Sequence, residues 1–347
     1  MANGRGDSGP GGNIDLALGG GGVRGVALVG ALRALDDAGY RVVRVLGSSA
    51  GAVVGAFVTA LVAAGAPMSR LSELMDAFDL RRLAEPTVLD RVPLVGEPLS
   101  VLVHHAIYRG GYLHSFVSEH LAALGVRTFA DLALPTSGPE AGESLDLAPS
   151  QRYRLAVTVT DLTLRREAVL PWDLPQYGIE PGSFSVADAV VASAAIPFLF
   201  PSFRIAGRDG ASVVVDGGVM DNLPIGTLDA TTLRPPPWPT WAISVGGPLP
   251  QRGRSPGNPL AEAIALVETL IAGGEARHVA DPCTAERIIA IAAAGVSPLD
   301  FNLDTTERDT LLAAGQTAAT KFLARWDFNA WLSRCGQQHA VRIIPGG

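Results

Sequence analysis

The stretch Val45-Leu46-Gly47-Ser48-Ser49-Ala50-Gly51-Ala52-Val53 constrains this chain more tightly than any other. An apolar, β-branched run from Arg41 to Leu46 leads into Gly-x-Ser-x-Gly, and a run of small and apolar residues from Ala50 to Ala64 leads out of it. The pattern predicts a strand, a sharp turn and a helix in immediate succession. Strand and helix can meet so closely because Gly47 and Gly51 carry no Cβ. Such a turn holds its central residue, Ser49, in a strained conformation with the hydroxyl exposed. The helix N-terminus behind it offers free N–H groups and the positive end of its dipole. The plainer reading of the same residues is a Gly/Ser turn capping a buried helix.

A second glycine cluster stands earlier. Ile14 to Leu18 reads as a first strand, Gly19-Gly20-Gly21-Gly22-Val23-Arg24-Gly25 follows, and Val26 to Ala38 reads as a helix stopped by Gly39. Backbone N–H groups in a glycine loop can face an anion at close range. The loop suits either a pyrophosphate, since Gly20-x-Gly22-x-x-Gly25 satisfies the dinucleotide pattern, or the oxyanion of an ester hydrolase. The second strand separates the two. A dinucleotide site wants an acidic residue about 20 positions on, at the strand's end. Asp36 and Asp37 fall too early, and Ser48-Ser49 occupies the strand end instead. Arg24, in the first turn of the helix, opposes the macrodipole. It is expected to face an anion, either a protein carboxylate or a substrate phosphate, or else to be a solvated surface residue.

Further along, Val213-Val214-Val215 is a short buried strand that delivers Asp216-Gly217-Gly218. A carboxylate at a strand end is well placed for chemistry in an α/β sheet, and burial raises its pKa as a general base requires. An Asp-Gly turn is the structural alternative. Asp161, which ends the strand Tyr153 to Thr160, is a second carboxylate of the same kind, better explained as a turn former. Ser185 caps a helix to Ala195 that stops at Ile196-Pro197. Phe198-Leu199-Phe200-Pro201 is core edge or acyl-binding wall. Asp221 and Asn222 shape the turn after Asp216.

Residues 67–126 read as largely helical, with an irregular proline-bearing piece at 85–96. They form either a cap over Ser49 or an outer helical layer; His104 and His105 within it carry no catalytic motif. Pro135 to Ser150 is a surface loop. Ala242 to Val245 and Arg287 to Ala292 are strands, Leu260 to Ile271 is an amphipathic helix, and Thr305 to Arg325 is a helix capped by Asp304 with Glu307 three residues on. Alternating strand and helix signals predict a layered sheet with helices on both faces.

Composition narrows the function classes. With 347 residues, 48% of them hydrophobic, the chain can bury a large core, and its net charge of −7 without a basic run argues against nucleic acid as a partner. Two cysteines, Cys283 and Cys335, give neither a disulfide framework nor a metal-ligand spacing, and the scattered histidines predict no zinc site. No metal or cofactor is expected. Residues 1–12 are Gly-rich and polar, lack the apolar core of a secretory signal, and read as a disordered tail. The uncharged run Val45 to Ser69 approaches the length of a membrane span, but it contains the serine turn and is better read as a buried helix. A cytoplasmic protein with at most peripheral membrane contact is expected. Oligomeric state is open.

Taken in order, Gly20-Gly21-Gly22-Val23-Arg24-Gly25, Gly47-Ser48-Ser49-Ala50-Gly51 and Asp216-Gly217-Gly218 resemble the oxyanion loop, serine elbow and Asp-Gly-Gly motif of the patatin-like phospholipases. Ala192-Ser193-Ala194-Ala195-Ile196-Pro197 and Asp221-Asn222-Leu223-Pro224-Ile225 also fit, although the family more often has Asn where Asp221 stands. The resemblance is strong from about Ile14 to Leu228 and weaker beyond. It implies a three-layer α/β/α sandwich with a mainly parallel central sheet, a catalytic region at 13–228, and 229–347 as the rest of the same domain. It also implies a Ser49–Asp216 dyad without histidine, with Gly21, Gly22 and Ala50 as oxyanion donors, hydrolysing lipid acyl esters. Acyl transfer to another acceptor at the same site, and a catalytically silent lipid-binding protein, are the alternatives.

Overall fold

The computed structural model describes residues 11–84, 108, 110–208, 210–231, 235–246, 255–293 and 295–336. Among these residues, eight strands form one mixed sheet: β1 (Gly12–Leu18), β2 (Tyr40–Gly47), β3 (Leu155–Asp161), β4 (Arg166–Leu170), β5 (Phe203–Gly207), β6 (Gly210–Asp216), β7 (Thr240–Gly246) and β8 (Ile288–Ala292). Among the described residues, the α-helices of five residues or more are α1 (Val26–Asp37), α2 (Ala50–Ala63), α3 (Arg70–Ala77), α4 (Gly111–Ala123), α5 (Val186–Ser193), α6 (Ile225–Asp229), α7 (Pro259–Ala280), α8 (Thr305–Leu323) and α9 (Phe328–Cys335). Gly12, which composition assigns to the tail, opens β1 opposite Tyr40.

The sheet runs β5-β6-β3-β2-β1-β7-β8, with β4 also on β3. The pairs β1–β2, β1–β7, β2–β3 and β7–β8 are parallel, while β4, β5 and β6 join antiparallel. Side chains alternate between faces, as the two-residue strand period demands. Leu16 and Leu18 enter the main core with α1, α2 and α8, while Ala17, Leu46 and Ala242 meet Leu223, Ile225 and Leu228 on the other face. Every residue of α2 from Gly51 to Leu61 is buried, which explains its all-round apolar sequence. A core side chain such as Phe57 contributes about 1.5–3 kcal/mol by leaving water.

The partners of β3 set the geometry of the site. Val157 pairs with both Gly47 of β2 and Leu170 of β4, and Val159 pairs with both Ala168 of β4 and Asp216 of β6. A strand has two edges, so β4 holds one, and β2 and β6 follow each other along the other. The sheet therefore forks where β2 ends, and the chains bearing Ser49 and Asp216 leave β3 two residues apart.

Two buried features go beyond the sequence reading. Asp15 and Arg44 form an ion pair inside the sheet; Arg44 Nε lies 3.0 Å from Asp15 Oδ2, and its Nη1 reaches Thr231 Oγ1 at 3.1 Å. Cys283 and Cys335, whose number and spacing predict no disulfide framework, are joined by a disulfide that fastens α9 to the short helical turn Pro282–Ala285 ahead of β8. Connectivity depends on Cα atoms coming within reach, here 5.8 Å, which spacing alone does not reveal. Such a bond persists in an oxidising environment. Beneath it, Arg287 pairs with Asp229 at 2.6 Å and lies over the Trp331 ring at 4.9 Å.

Candidate active site

Ser49 is the N-cap of α2, with φ 53° and ψ −121°. A residue bearing a Cβ holds such a conformation at a cost of about 1–3 kcal/mol, and only where its surroundings impose it. Here the Ser48 N–H donates to the Leu18 carbonyl at 3.0 Å, and the Ser49 N–H donates to Ser193 Oγ at 3.0 Å. The Ser49 carbonyl accepts from the Ala52 N–H at 2.9 Å, already within the helix. Gly47 and Gly51 stand against each other, and Gly51 also lies on the Leu18 carbonyl, so neither position has room for a side chain. Ser49 is left 7% exposed.

Asp216 ends β6 and is fully buried. Its N–H donates to the Ala195 carbonyl at 2.9 Å, its carbonyl accepts from Thr160 Oγ1 at 2.9 Å, and its Oδ1 accepts from the Gly218 N–H at 2.7 Å. Oδ2 has no hydrogen-bond partner among the described residues. Burial pushes the carboxyl up to about 7; the Ser49 hydroxyl and the Gly218 N–H pull it back part of the way. The Ser49 hydroxyl thus lies close enough to favour the charged carboxylate, while Oδ2 still lacks an aligned donor. Gly217 packs against the Thr158 backbone.

The glycine loop lies on the serine elbow. Gly20 stands where a Cβ would come within 2.9 Å of Ser49 Cβ, and Gly25 where one would come within 2.8 Å of Ala50 Cβ. Most N–H groups here are taken: Gly19 donates to Ile243, Gly20 to Asn222, Val23 to Pro298 and Arg24 to Gly21. Those of Gly21, Gly22 and Ala50 have no acceptor among the described residues. Gly22 has φ +56°, and a Cβ there would run into the Pro298 carbonyl.

Arg24 makes one contact that neither reading anticipates. Half-buried, it donates from Nε to the Val296 carbonyl at 2.7 Å, tying the loop to the segment before α8. Asp161 does shape a turn, accepting from the Thr163 and Leu164 N–H groups at 2.8 Å and from the Tyr177 hydroxyl at 2.7 Å. Asp221 likewise accepts from the Leu223 N–H at 3.1 Å.

Beside Ser49 opens a pocket of about 620 Å³, open solvent at its mouth included. Its walls include Val53 and Val54 of α2, Met75, Phe78, Leu113 of α4, and Phe200. Ser49 is the one polar side chain among the described residues that line it. Part of the segment expected to cap the site thus forms the cavity wall; residues 85–107, with His104 and His105, lie outside the described residues. Phe200 is wall and Leu199 is core, so both readings of that aromatic segment hold at neighbouring positions. An apolar cavity with a single hydroxyl in its lining has the shape and polarity to hold an acyl chain.

Two residues of the site were not assigned these contacts from the sequence. Ser193 supplies the acceptor for the Ser49 N–H, and Asn222 ties the glycine loop to the Asp216 turn through Gly20. The signals for Ser193 are its place in the family-like segment Ala192 to Pro197 and a hydroxyl in an otherwise small and apolar helix end.

A family model described as patatin-like phospholipase matches residues 16–229. The uncharacterized protein YqhO of Bacillus subtilis is 30% identical over 320 residues, which cover 91% of this chain and 99% of YqhO. An uncharacterized NTE-family protein of Mycobacterium tuberculosis is 30% identical over 224 residues, 65% of this chain and 47% of that protein. Among solved structures, VipD from Legionella pneumophila aligns with a TM-score of 0.48 and 16% identity, covering 91% of this chain and 67% of VipD.

Proposed function

Because the chain belongs to the patatin-like phospholipase family, and so to a family of lipid acyl hydrolases, we propose that it cleaves lipid acyl esters through Ser49 and Asp216. The observation that carries this reading is the buried Asp216 carboxyl, its Oδ2 without a hydrogen-bond partner among the described residues, beside a strained serine that opens onto an apolar cavity.

The acyl chain occupies the cavity between α2, α3 and α4, with its carbonyl carbon at Ser49 Oγ. Ionised Asp216 takes the hydroxyl proton as Oγ attacks. The carbonyl oxygen becomes an oxyanion, met by the N–H groups of Gly21, Gly22 and Ala50 and by the positive end of α2. Each such donor is worth about 3–4 kcal/mol in the transition state. The tetrahedral intermediate collapses, the alcohol leaves with the proton from Asp216, and Ser49 keeps the acyl group. Asp216 then deprotonates a water, which attacks the acyl-enzyme carbonyl. Ser49 leaves with the proton, and the fatty acid is released.

The test is labelling with a fluorophosphonate, mapped by mass spectrometry, alongside hydrolysis of a short p-nitrophenyl ester. The expected result is a single adduct on Ser49, with turnover lost in Ser49→Ala at unchanged thermal stability. Near-wild-type turnover by purified Ser49→Ala protein removes the proposal.

A further inference from the structure

We propose that Ser193 is a positioning residue, one that sets where Ser49 stands relative to Asp216 by holding the Ser49 backbone through its hydroxyl. This rests on the Ser49–Asp216 reading above.

The parallel ladder between β2 and β3 ends at Gly47 opposite Val157. Beyond that point the elbow turns away, and the Ser49 N–H has no strand partner. Ser193, the last residue of α5 and fully buried, supplies the acceptor at 3.0 Å. Two residues on, the Ala195 carbonyl accepts the Asp216 N–H at 2.9 Å. One short segment therefore grips both proposed partners, Ser49 by a side chain and Asp216 by the backbone. The segment is itself braced, since the Ala194 N–H donates to the Val190 carbonyl at 3.0 Å and the Ile196 N–H to the Ala194 carbonyl at 2.9 Å.

The contact also sorts the donors of the elbow. With the Ser49 N–H engaged by Ser193, the Ala50 N–H is the one left to face an oxyanion. Ala194 and Ile196 line the acyl cavity and Ser193 does not. Loss of the Ser193 hydroxyl should therefore disturb chemistry more than acyl binding.

The experiment measures the phosphonylation rate constant per labelled site, with kcat and KM for a short ester, in wild-type protein, Ser193→Ala and Ser193→Cys. Misplacement of a reacting group by about 1 Å costs on the order of 100-fold in rate. The expected result for Ser193→Ala is a 10- to 100-fold fall in both the phosphonylation rate constant and kcat. KM should stay within twofold, and labelling should still reach full stoichiometry. Ser193→Cys, nearly isosteric with a weaker acceptor, should fall between Ser193→Ala and wild type, and it decides the matter if Ser193→Ala does not fold. Ser185→Ala is the control, since Ser185 caps the other end of α5 through the Asp188 N–H at 3.1 Å and has no hydrogen bond to Ser49. It should lower thermal stability and leave the rate constant per site unchanged. Positioning by Ser193 is overturned if its variants keep the wild-type rate constant, or if Ser185→Ala slows the site equally. An adduct on a residue other than Ser49 in wild-type protein would instead remove the dyad itself.

Discussion

Replacing Asp216 with asparagine should make the protein more stable at neutral and alkaline pH while abolishing turnover. Burial raises the Asp216 carboxyl from 3.8 to about 7, so the folded state favours the neutral form. The sign follows by linkage. In the unfolded chain the group ionises near 3.8, whereas in the native state it stays protonated until about 7. The native state is thus undisturbed by this group below pH 3.8, loses stability as pH rises through about 7, and levels off above that. The displacement corresponds to about 4 kcal/mol at the plateau. Asp216→Asn, which carries no charge, escapes that loss. Equilibrium urea unfolding of both proteins between pH 4.5 and 8.5 should show curves that approach each other near the acid end and separate with rising pH, the variant above by about 4 kcal/mol at the plateau. The same carboxyl must be ionised to act as base, so wild-type kcat/KM should fall about tenfold per pH unit below about 7. Parallel stability curves, or an activity limb near pH 4, would refute the assignment of a raised pKa to this base.

Gly22→Ala should lower kcat by about 100- to 1000-fold, the range for losing an oxyanion donor, because its Cβ runs into the Pro298 carbonyl and forces the loop to move; stopped-flow acylation would resolve it, and an active, fully labelled variant would count against the loop. Reduction of Cys283–Cys335, which closes a loop of sequence separation 52, should lower stability by about 4 kcal/mol through the unfolded chain's recovered entropy. Urea curves with and without reductant, compared with a Cys283→Ala/Cys335→Ala double variant that should not respond, provide the check.

Much of the site was legible because each motif is local. The sequence Val45 to Val53 specifies strand, elbow and helix within nine residues, and the structure has β2 ending at Gly47, Ser49 at φ 53° and α2 beginning at Ala50. The helix caps were legible for the same reason: Ser185 accepts from the Asp188 N–H, and Asp304 and Glu307 form a reciprocal cap. Buried contacts between distant segments were not. The Asp15–Arg44 pair joins two strands that read as apolar, and the Cys283–Cys335 bond depends on where α9 docks. Strands β4 and β5 went unread because they are short and become strands by pairing with β3 and β6.

By itself, then, the sequence determined the serine elbow, the glycine loop and the strand-end aspartate, since each is set by steric and hydrogen-bonding preferences within a few residues. Only the tertiary structure decided that these pieces meet. Ser49 and Asp216 are 167 positions apart in the chain, and they become neighbours because β3 pairs with β2 and then β6 along one edge. The raised pKa of Asp216 and the grip of Ser193 on Ser49 follow from that meeting, because burial and long-range hydrogen bonds exist only once the sheet has closed around them.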